Sequence, residues 1–277
     1  RADRWSISNG FFRATGTTPL NFSDRNDWEF SGRAGALYHV GDALALRTAG
    51  YTGFRLPTLN ELYRPFVVGA VRTEANAALM PEKLKGLEAG FDFSPAKDIT
   101  LSATAFYNRL DDAIANVTLN PANPNARQRR NVDAIVAKGV ELTASGRVAD
   151  FLLSASYAYS HSTVHAPGMR FDGLTPAQSP RHAASATVAW RPSQGPSLST
   201  TVRYVAKQYE DDFQTYILPD ALTVDAVASL PIGHGVSIVA RGENLFDETV
   251  VTRLGTDGSI DLGTPRTFWI GVRFSGG

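Results

Sequence analysis

Apolar and polar residues alternate one for one along most of the chain. Leu101, Ala103, Ala105 and Tyr107 share one face, while Ser102, Thr104 and Asn108 share the other. Leu87, Ala89, Phe91 and Phe93 oppose Glu88, Gly90 and Asp92 in the same way. Leu222, Val224, Ala226, Ala228 and Leu230 oppose Thr223, Asp225 and Ser229, and Ala184, Ala186, Val188 and Trp190 oppose Ser185 and Thr187. A period of two marks a strand with one apolar and one polar face. The pattern predicts about 12 strands, at 4–17, 28–40, 43–54, 83–94, 98–114, 132–147, 151–164, 182–192, 197–210, 220–231, 235–250 and 263–274.

The connections come in two alternating kinds. Short turns rich in Gly, Pro, Asp and Asn fall at 40–43, 94–98, 147–150, 191–197 and 231–235. Longer, polar, irregular segments fall at 55–81, 115–131, 164–181, 210–220 and 251–263. Short turns on one side and long loops on the other are the pattern of a transmembrane antiparallel up-and-down β-barrel. The predicted fold class is therefore all-β. Most predicted strands exceed the roughly 9 to 11 residues that cross a bilayer at a tilt, so several extend beyond it.

A soluble sandwich also alternates, so the charges decide between them. None falls in the mid-strand apolar sets, whereas Arg33, Arg47, Glu88, Asp92, Arg203, Asp225, Arg241 and Glu243 occupy the opposite face. That is the expectation for a wet or plugged lumen. Trp28, Phe30, Tyr38, Tyr157, Tyr159, Trp190 and Tyr204 lie near strand ends, where interface girdles form.

Composition narrows the chemistry. The 277 residues carry 27 Lys plus Arg and 27 Asp plus Glu, and this neutral balance argues against nucleic-acid binding. The absence of cysteine excludes disulfides and thiolate chemistry. No apolar run reaches the roughly 18 residues of a spanning helix. The opening residues lack the apolar core of a signal peptide, and Arg1 is no initiator methionine, so a mature product or a fragment is expected.

One stretch breaks the strand pattern. "YTGFRLPTLNELY", residues 51–63, starts as a strand, turns at Pro57 and continues with Leu59, Leu62 and Tyr63 on one helical stripe. This segment resembles the F-R/K-x-P-x-L-x-E/D-L-Y/F stretch of TonB-dependent outer-membrane receptors. "EANAALMPEKLKGLEAGFDF" follows at the family's distance and is similar to its N-x-x-L-x-P-E-x-x-x-x-x-E-x-G stretch. "ITLSATAFYNRLDDAI" and "GENLFDETVV" look like two further strands of that family. The last strand places Phe268, Ile270, Val272 and Phe274 on one face and ends on an aromatic. In the family that aromatic is usually terminal, whereas Ser275, Gly276 and Gly277 follow here.

The resemblance implies an active transporter whose barrel has about 22 strands around a plug. Residues 1–277 would then be the C-terminal portion of that barrel domain, without the plug or the TonB box. It also implies an outer-membrane location, energy from TonB, contact with outer-membrane lipids and insertion by the barrel-assembly machinery. The ligand would be a scarce small-molecule nutrient or metal chelate, with a ferric siderophore or cobalamin as the first expectation. A passive porin-like barrel and a 12-stranded outer-membrane hydrolase are the alternatives. Cutting such a barrel would leave unpaired edges near 4–17 and 263–274.

Catalytic patterns are nearly absent, and no cofactor or metal site is expected. The cluster of Ser160, His161, Ser162 and His165 is the sole lead toward hydrolysis or a metal pair, and polar residues at a strand end explain it as well. Ligand contact is expected in the exterior loops. Tyr63, Arg64 and Phe66 stand in one, and Arg127, Arg129 and Arg130 stand in another without compensating acids. Guanidinium groups suit carboxylates and phosphates because each can bind as a bidentate fork. Glu210, Asp211 and Asp212 of "YEDDF" could complement that basic loop or hold a cation. In "NLFD", Asn244 and Asp247 are expected to bond their own backbone at a turn while Leu245 and Phe246 pack.

Overall fold

A computed structural model describes residues 1–13, 18 and 20–274. Eleven strands form one continuous antiparallel path. They are β1 (Gly32–His39), β2 (Leu44–Arg55), β3 (Glu82–Ala96), β4 (Ile99–Asn120), β5 (Asn123–Val148), β6 (Phe151–His165), β7 (His182–Trp190), β8 (Ser197–Val205), β9 (Ala221–Gly233), β10 (Val236–Glu243) and β11 (Thr267–Phe274). Each pairs with the next in chain order, as expected of an up-and-down sheet. The first predicted strand, 4–17, is represented by Ala2–Ile7, which pairs with Arg25–Phe30, the continuation of β1 beyond Ser31. Residues 14–17 of that prediction, and the tail Ser275–Gly277, lie outside the described residues.

The alternation read from the sequence becomes rows across the sheet. Leu46, Phe91, Ala103, Leu142, Tyr157, Ala184, Tyr204 and Leu222 stand in register across eight successive strands, β2 to β9. Every member is apolar or aromatic. A continuous apolar face of this extent cannot stand in water and is the lipid-facing side of a membrane barrel. The opposite face holds the eight charges, and they pair with one another. Arg33 meets Glu88 at 3.7 Å, Arg47 meets Asp92 at 3.3 Å and Arg241 meets Glu243 at 2.5 Å, while Arg203 bonds Asp225.

Among the described residues β11 pairs with β10 alone, so the sheet is open. Its edges run along β11 and along the β1 side, near the positions expected. Ile270 on β11 is 82% exposed, having one neighbouring strand and no cover.

The sequence reading fails most clearly at 115–131. This segment is not an irregular loop: β4 and β5 run on as a single long hairpin, with Asn120 opposite Asn123 around a two-residue turn. Its β5 arm, 123–131, is almost wholly polar on both faces and Asn and Pro recur at 116–125, so the short alternation of Ala115, Val117 and Leu119 on the β4 arm is not matched across the hairpin while backbone pairing persists. β6 ends where His165 meets Ala134, which leaves the far edge of β5 free. Val71–Glu74, from the loop after β2, takes that edge in parallel, with Thr73 opposite Arg127. The main packed core also lies here, where Ala113, Val117, Val132, Val164, Ala166 and Phe171 close together.

Candidate functional site

The exterior end is assembled by side chains of the segment after β2. A single helical turn, α1 (Leu59–Tyr63), is capped by Thr58: its hydroxyl accepts the Glu61 N–H at 3.2 Å, and the Glu61 carboxylate accepts the Thr58 N–H at 2.7 Å. Such a reciprocal box satisfies two helix-end donors at once. Arg55, at the end of β2, donates to both oxygens of Glu61 at 2.9 and 3.2 Å and also to Glu82. Glu82 in turn accepts the Ile114 N–H at 2.7 Å, tying α1 to β3 and β4. Burial pushes the Glu61 carboxyl up, but hydrogen bonds from Arg55 and Thr58 outweigh it and hold it below its ordinary value. The same pairings, with Glu61 first and Glu82 next, raise the Arg55 guanidinium. Leu62 is buried and Tyr63 stacks on Phe22 with centroids 4.5 Å apart. Leu59 does not join this stripe and is 67% exposed, because the short turn presents only one side to the protein.

The residues that carried the sequence resemblance are thus occupied by architecture. Asn76 donates to the Arg129 carbonyl at 3.0 Å and accepts the Ala78 N–H at 3.0 Å, and Leu79 is buried. Asn244 is buried with a left-handed backbone, φ 48°. Its side chain accepts the Glu248 N–H at 2.9 Å and donates to the Glu248 and Thr264 carbonyls at 2.9 and 3.2 Å. Asp247 accepts the Arg266 N–H at 3.0 Å, so this turn fastens the start of β11. Phe246 does not pack as expected. It stands 75% exposed, because the turn that satisfies Asn244 and Asp247 carries its ring outward.

Five exterior segments surround a cavity of about 480 Å³, with Phe66, Arg127, Phe171, Glu210, Asp212 and Arg253 among its lining. A volume of this size lies within the usual range for ligand pockets. Register explains how Arg127 comes to it: Thr118 of β4 faces Arg127 on one side and Thr73 faces it on the other. Asp212 reaches over from the loop before β9 to accept the Thr118 N–H at 2.9 Å and its hydroxyl at 2.8 Å.

The eight residues singled out from sequence divide by what their side chains already do. Arg129 donates to the carbonyls of Asn60 and Arg64, the latter at 3.2 Å, and lies 4.6 Å from the Phe66 ring centroid. It is a clamp on α1. Arg64 is exposed and Tyr63 is held by Phe22. Arg130 donates to Gln128 at 2.8 Å. Asp211 is buried and accepts the N–H groups of Thr215 and Tyr216, both at 2.8 Å, which shapes its own loop. Phe66, Arg127 and Asp212 are the three that line the cavity.

Arg127 differs from its neighbours. Its Nε is buried without a hydrogen-bond partner, and among the described residues its side chain makes no ion pair within 4 Å. Glu210 belongs to the acidic run read from the sequence as a complement to the basic loop, whereas Arg253 was missed by sequence reasoning. Arg253 is held by Asp261 at 2.7 Å and Ser259 at 3.2 Å. Burial raises the Glu210 carboxyl above its ordinary value, despite the hydrogen bond from Gln178 and the charges of Arg127 and Arg253. Nothing local pointed to Arg253, which arrives on the hairpin Val251–Leu254 paired with Ile260–Leu262.

The serine and histidine cluster assembles no relay. Alternation puts Ser160 and Ser162 on one face and His161 on the other. Ser160 and Ser162 Oγ lie 3.5 Å apart, and the His161 ring meets the Thr163 hydroxyl at 3.5 Å.

The family model described as TonB dependent receptor-like, beta-barrel, matches residues 1–245. The chain is 26% identical over 252 residues to the vitamin B12 transporter BtuB of Photobacterium profundum, covering 90% of this chain and 39% of that protein. It is 27% identical over 187 residues to the ferrioxamine B receptor of Salmonella typhimurium, covering 64% of this chain and 26% of that one. Among solved structures, the copper transporter OprC aligns with a TM-score of 0.79 at 20% identity, over 99% of this chain and 44% of its own. The siderophore receptor PiuA from Acinetobacter baumannii aligns at 0.75 and 18% identity, over 95% of this chain and 38% of its own. The chain therefore spans less than half the length of each of these proteins. Their names describe transporters and receptors. The unbroken lipid-facing rows, the lumenal ion pairs and the match over residues 1–245 agree: the chain belongs to the family of TonB-dependent receptor β-barrels, which are proteins of the outer membrane.

Proposed function

We propose that the complete protein takes up a scarce nutrient through the outer membrane with energy supplied by TonB, and that the exterior cavity of this chain holds an anionic group of that nutrient. The reading rests above all on Arg127. A guanidinium with a buried, unpaired N–H loses solvation without recovering it, and a carboxylate, phosphate or anionic chelate would restore the missing bonds. A ferric siderophore or cobalamin is the favoured ligand, in keeping with the relatives' names. Residues 1–277 are barrel throughout on this reading, and the plug, the TonB-contacting segment and the remaining strands belong to the rest of the protein. Outer-membrane lipids and the barrel-assembly machinery are its other partners. Transport requires no bond to be made or broken, and no residue of this chain is assigned a catalytic role.

Cells expressing the complete protein test this with labelled cobalamin and labelled ferric ferrioxamine B as probes. Replacing Arg127 by alanine should raise the half-saturating concentration of the transported probe about tenfold, the equivalent of one lost charge-assisted contact. Arg127→Lys should recover part of the loss, and deletion of TonB should abolish uptake. Unchanged affinity in Arg127→Ala would overturn the role of the cavity, and uptake independent of TonB would overturn transport as proposed.

A further inference from the structure

Two arginines, Arg127 and Arg253, and two acids, Glu210 and Asp212, stand in the lining of the exterior cavity, so their formal charges cancel. Three of the four are engaged by neighbours. Arg253 is paired with Asp261 at 2.7 Å. Asp212 accepts the Thr118 N–H with one oxygen and its hydroxyl with the other, and Glu210 accepts from the Gln178 amide at 3.3 Å. Of the two arginines, Arg127 alone lacks an ion pair among the described residues, and its buried Nε lacks a hydrogen-bond partner.

The cavity therefore has one cation to offer an incoming oxyanion. A neutral group in that place would leave the guanidinium without a counter-charge. A second negative charge would find no cation free of its own carboxylate, and would stand beside Glu210 and Asp212, where partial burial weakens screening. Glu210 lies within electrostatic range of Arg127 but beyond ion-pair distance, so a head bound to Arg127 is close to Glu210 as well.

The rest of the lining indicates what carries the charge. Val117, Val164 and Phe171 belong to the buried core and also line the cavity, and Phe66, Ile114 and Leu254 add further apolar surface. Such surface is stabilised when a ring or an aliphatic chain covers it. A volume of about 480 Å³ holds a group of drug size, so a bulkier metal chelate enters by one arm.

We propose that this cavity selects a ligand arm with an apolar body and one singly charged oxyanion, such as a carboxylate, that Arg127 binds the charged head, and that Glu210 excludes arms carrying two negative charges. The inference rests on the reading that this cavity meets the nutrient, and it narrows the nutrient's chemical class. Glu210 is on this view a selectivity residue: it weakens every anion somewhat and a doubly charged one most.

Isothermal titration of the complete receptor at neutral pH with three soluble probes provides the test. The probe 3-phenylpropionate has one carboxylate on an apolar arm, 3-phenylpropionamide has the same shape without the charge, and phenylsuccinate adds a second carboxylate. The monocarboxylate should bind at least about tenfold more tightly than either of the others. Arg127→Ala should remove its advantage over the amide. Glu210→Gln, which keeps the size of the side chain, should bring phenylsuccinate to within about threefold of the monocarboxylate. Equal binding of the three probes by the native protein, or tightest binding of phenylsuccinate, overturns the proposal, and unchanged selectivity in Glu210→Gln overturns the role of that residue. These titrations involve neither TonB nor uptake. If nutrient uptake depends on Arg127 while the probes bind alike, the ligand class fails and the cavity's role stands; if uptake ignores Arg127, the earlier reading fails.

Discussion

The Tyr51 hydroxyl donates to the Asn108 carboxamide oxygen at 3.0 Å, although their strands are separated by β3. The bond passes over Gly86, which stands in register between them. A Cβ at Gly86 would collide with the Tyr51 ring and lie 2.5 Å from the Asn108 oxygen. Further along the same face of β3, Gly90 stands likewise between Arg47 and Thr104, and the Arg47 guanidinium bonds the Thr104 hydroxyl across it. The inner wall is thus braced across three strands because the middle one lacks a side chain at these two positions.

Gly86→Ala should destabilise the complete barrel by about 1 to 3 kcal/mol, the usual cost of overpacking. The three nearest obstructing atoms belong to the Tyr51 and Asn108 side chains, so removing the ring with Tyr51→Ala, which also frees the Asn108 carboxamide to turn away, should recover part of that loss. At Gly90 an added Cβ would strike the Ala103 carbonyl oxygen, which is backbone, so no side-chain deletion should rescue Gly90→Ala. Heat-dependent gel migration reads all three.

Arg129→Ala should loosen α1 without touching the cavity charge. Its guanidinium holds the Asn60 and Arg64 carbonyls, so hydrogen exchange should accelerate across 58–64 while Arg127→Ala leaves those amides protected. Arg129→Lys should restore only part of the loss, since an ammonium can donate to both carbonyls as the single Nη1 does but lacks the planar face that lies on Phe66.

The Glu61 carboxyl lies below its ordinary value of 4.5 when folded. A depressed carboxylate contributes stability above its unfolded pKa and loses it as pH falls through the folded one. Glu61→Gln should therefore be less stable than the native protein at neutral pH, and the difference should shrink below about pH 4.5. A gap that is constant with pH would refute the pairing with Arg55 as its source.

Glu210 shifts in the other direction, raised chiefly by burial. Its protonation removes a negative charge beside Arg127. Affinity for an anionic nutrient should rise as pH falls through the raised pKa, and Glu210→Gln should bind more tightly and lose that dependence. Equilibrium binding over mildly acidic pH checks the sign.

Asn244→Ala should cost about 1 to 3 kcal/mol, because the backbone groups of Glu248 and Thr264 lose their partner. Asn244→Gly suits the left-handed backbone and should lose only the side-chain bonds, so glycine should be the milder change. Thermal melts of both variants separate backbone strain from hydrogen bonding.

The membrane-crossing strands were legible in the sequence because their signal is local. One face meets lipid and the other an aqueous lumen, so each strand carries the full pattern within its own residues, and the eight lumenal charges could be named before their partners were known. Above the membrane the strands pack against loops instead of lipid and lumen, and the Asn- and Pro-rich run 120–125 breaks the signal. That is why 115–131 reads as a loop although β4 and β5 continue through it. The exposed Leu59 and Phe246 misled for a related reason: an apolar residue in a short turn says nothing about which side the turn presents.

The candidate site was legible only as a composition. The cluster Arg127, Arg129 and Arg130 is visible in the chain, and chemistry alone points it toward anions. Which of the three keeps its donors unspent depends on contacts with Asn60, Arg64 and Gln128, and on a parallel strand arriving from residues 71–74. Glu210 and Arg253 join through segments distant in sequence. By itself the sequence determined the strands, their lipid and lumen faces and the family, since these follow from a period of two and short motifs. Tertiary structure alone decided the cavity, because hydrogen-bond satisfaction is a property of neighbours in space and leaves no period in the chain.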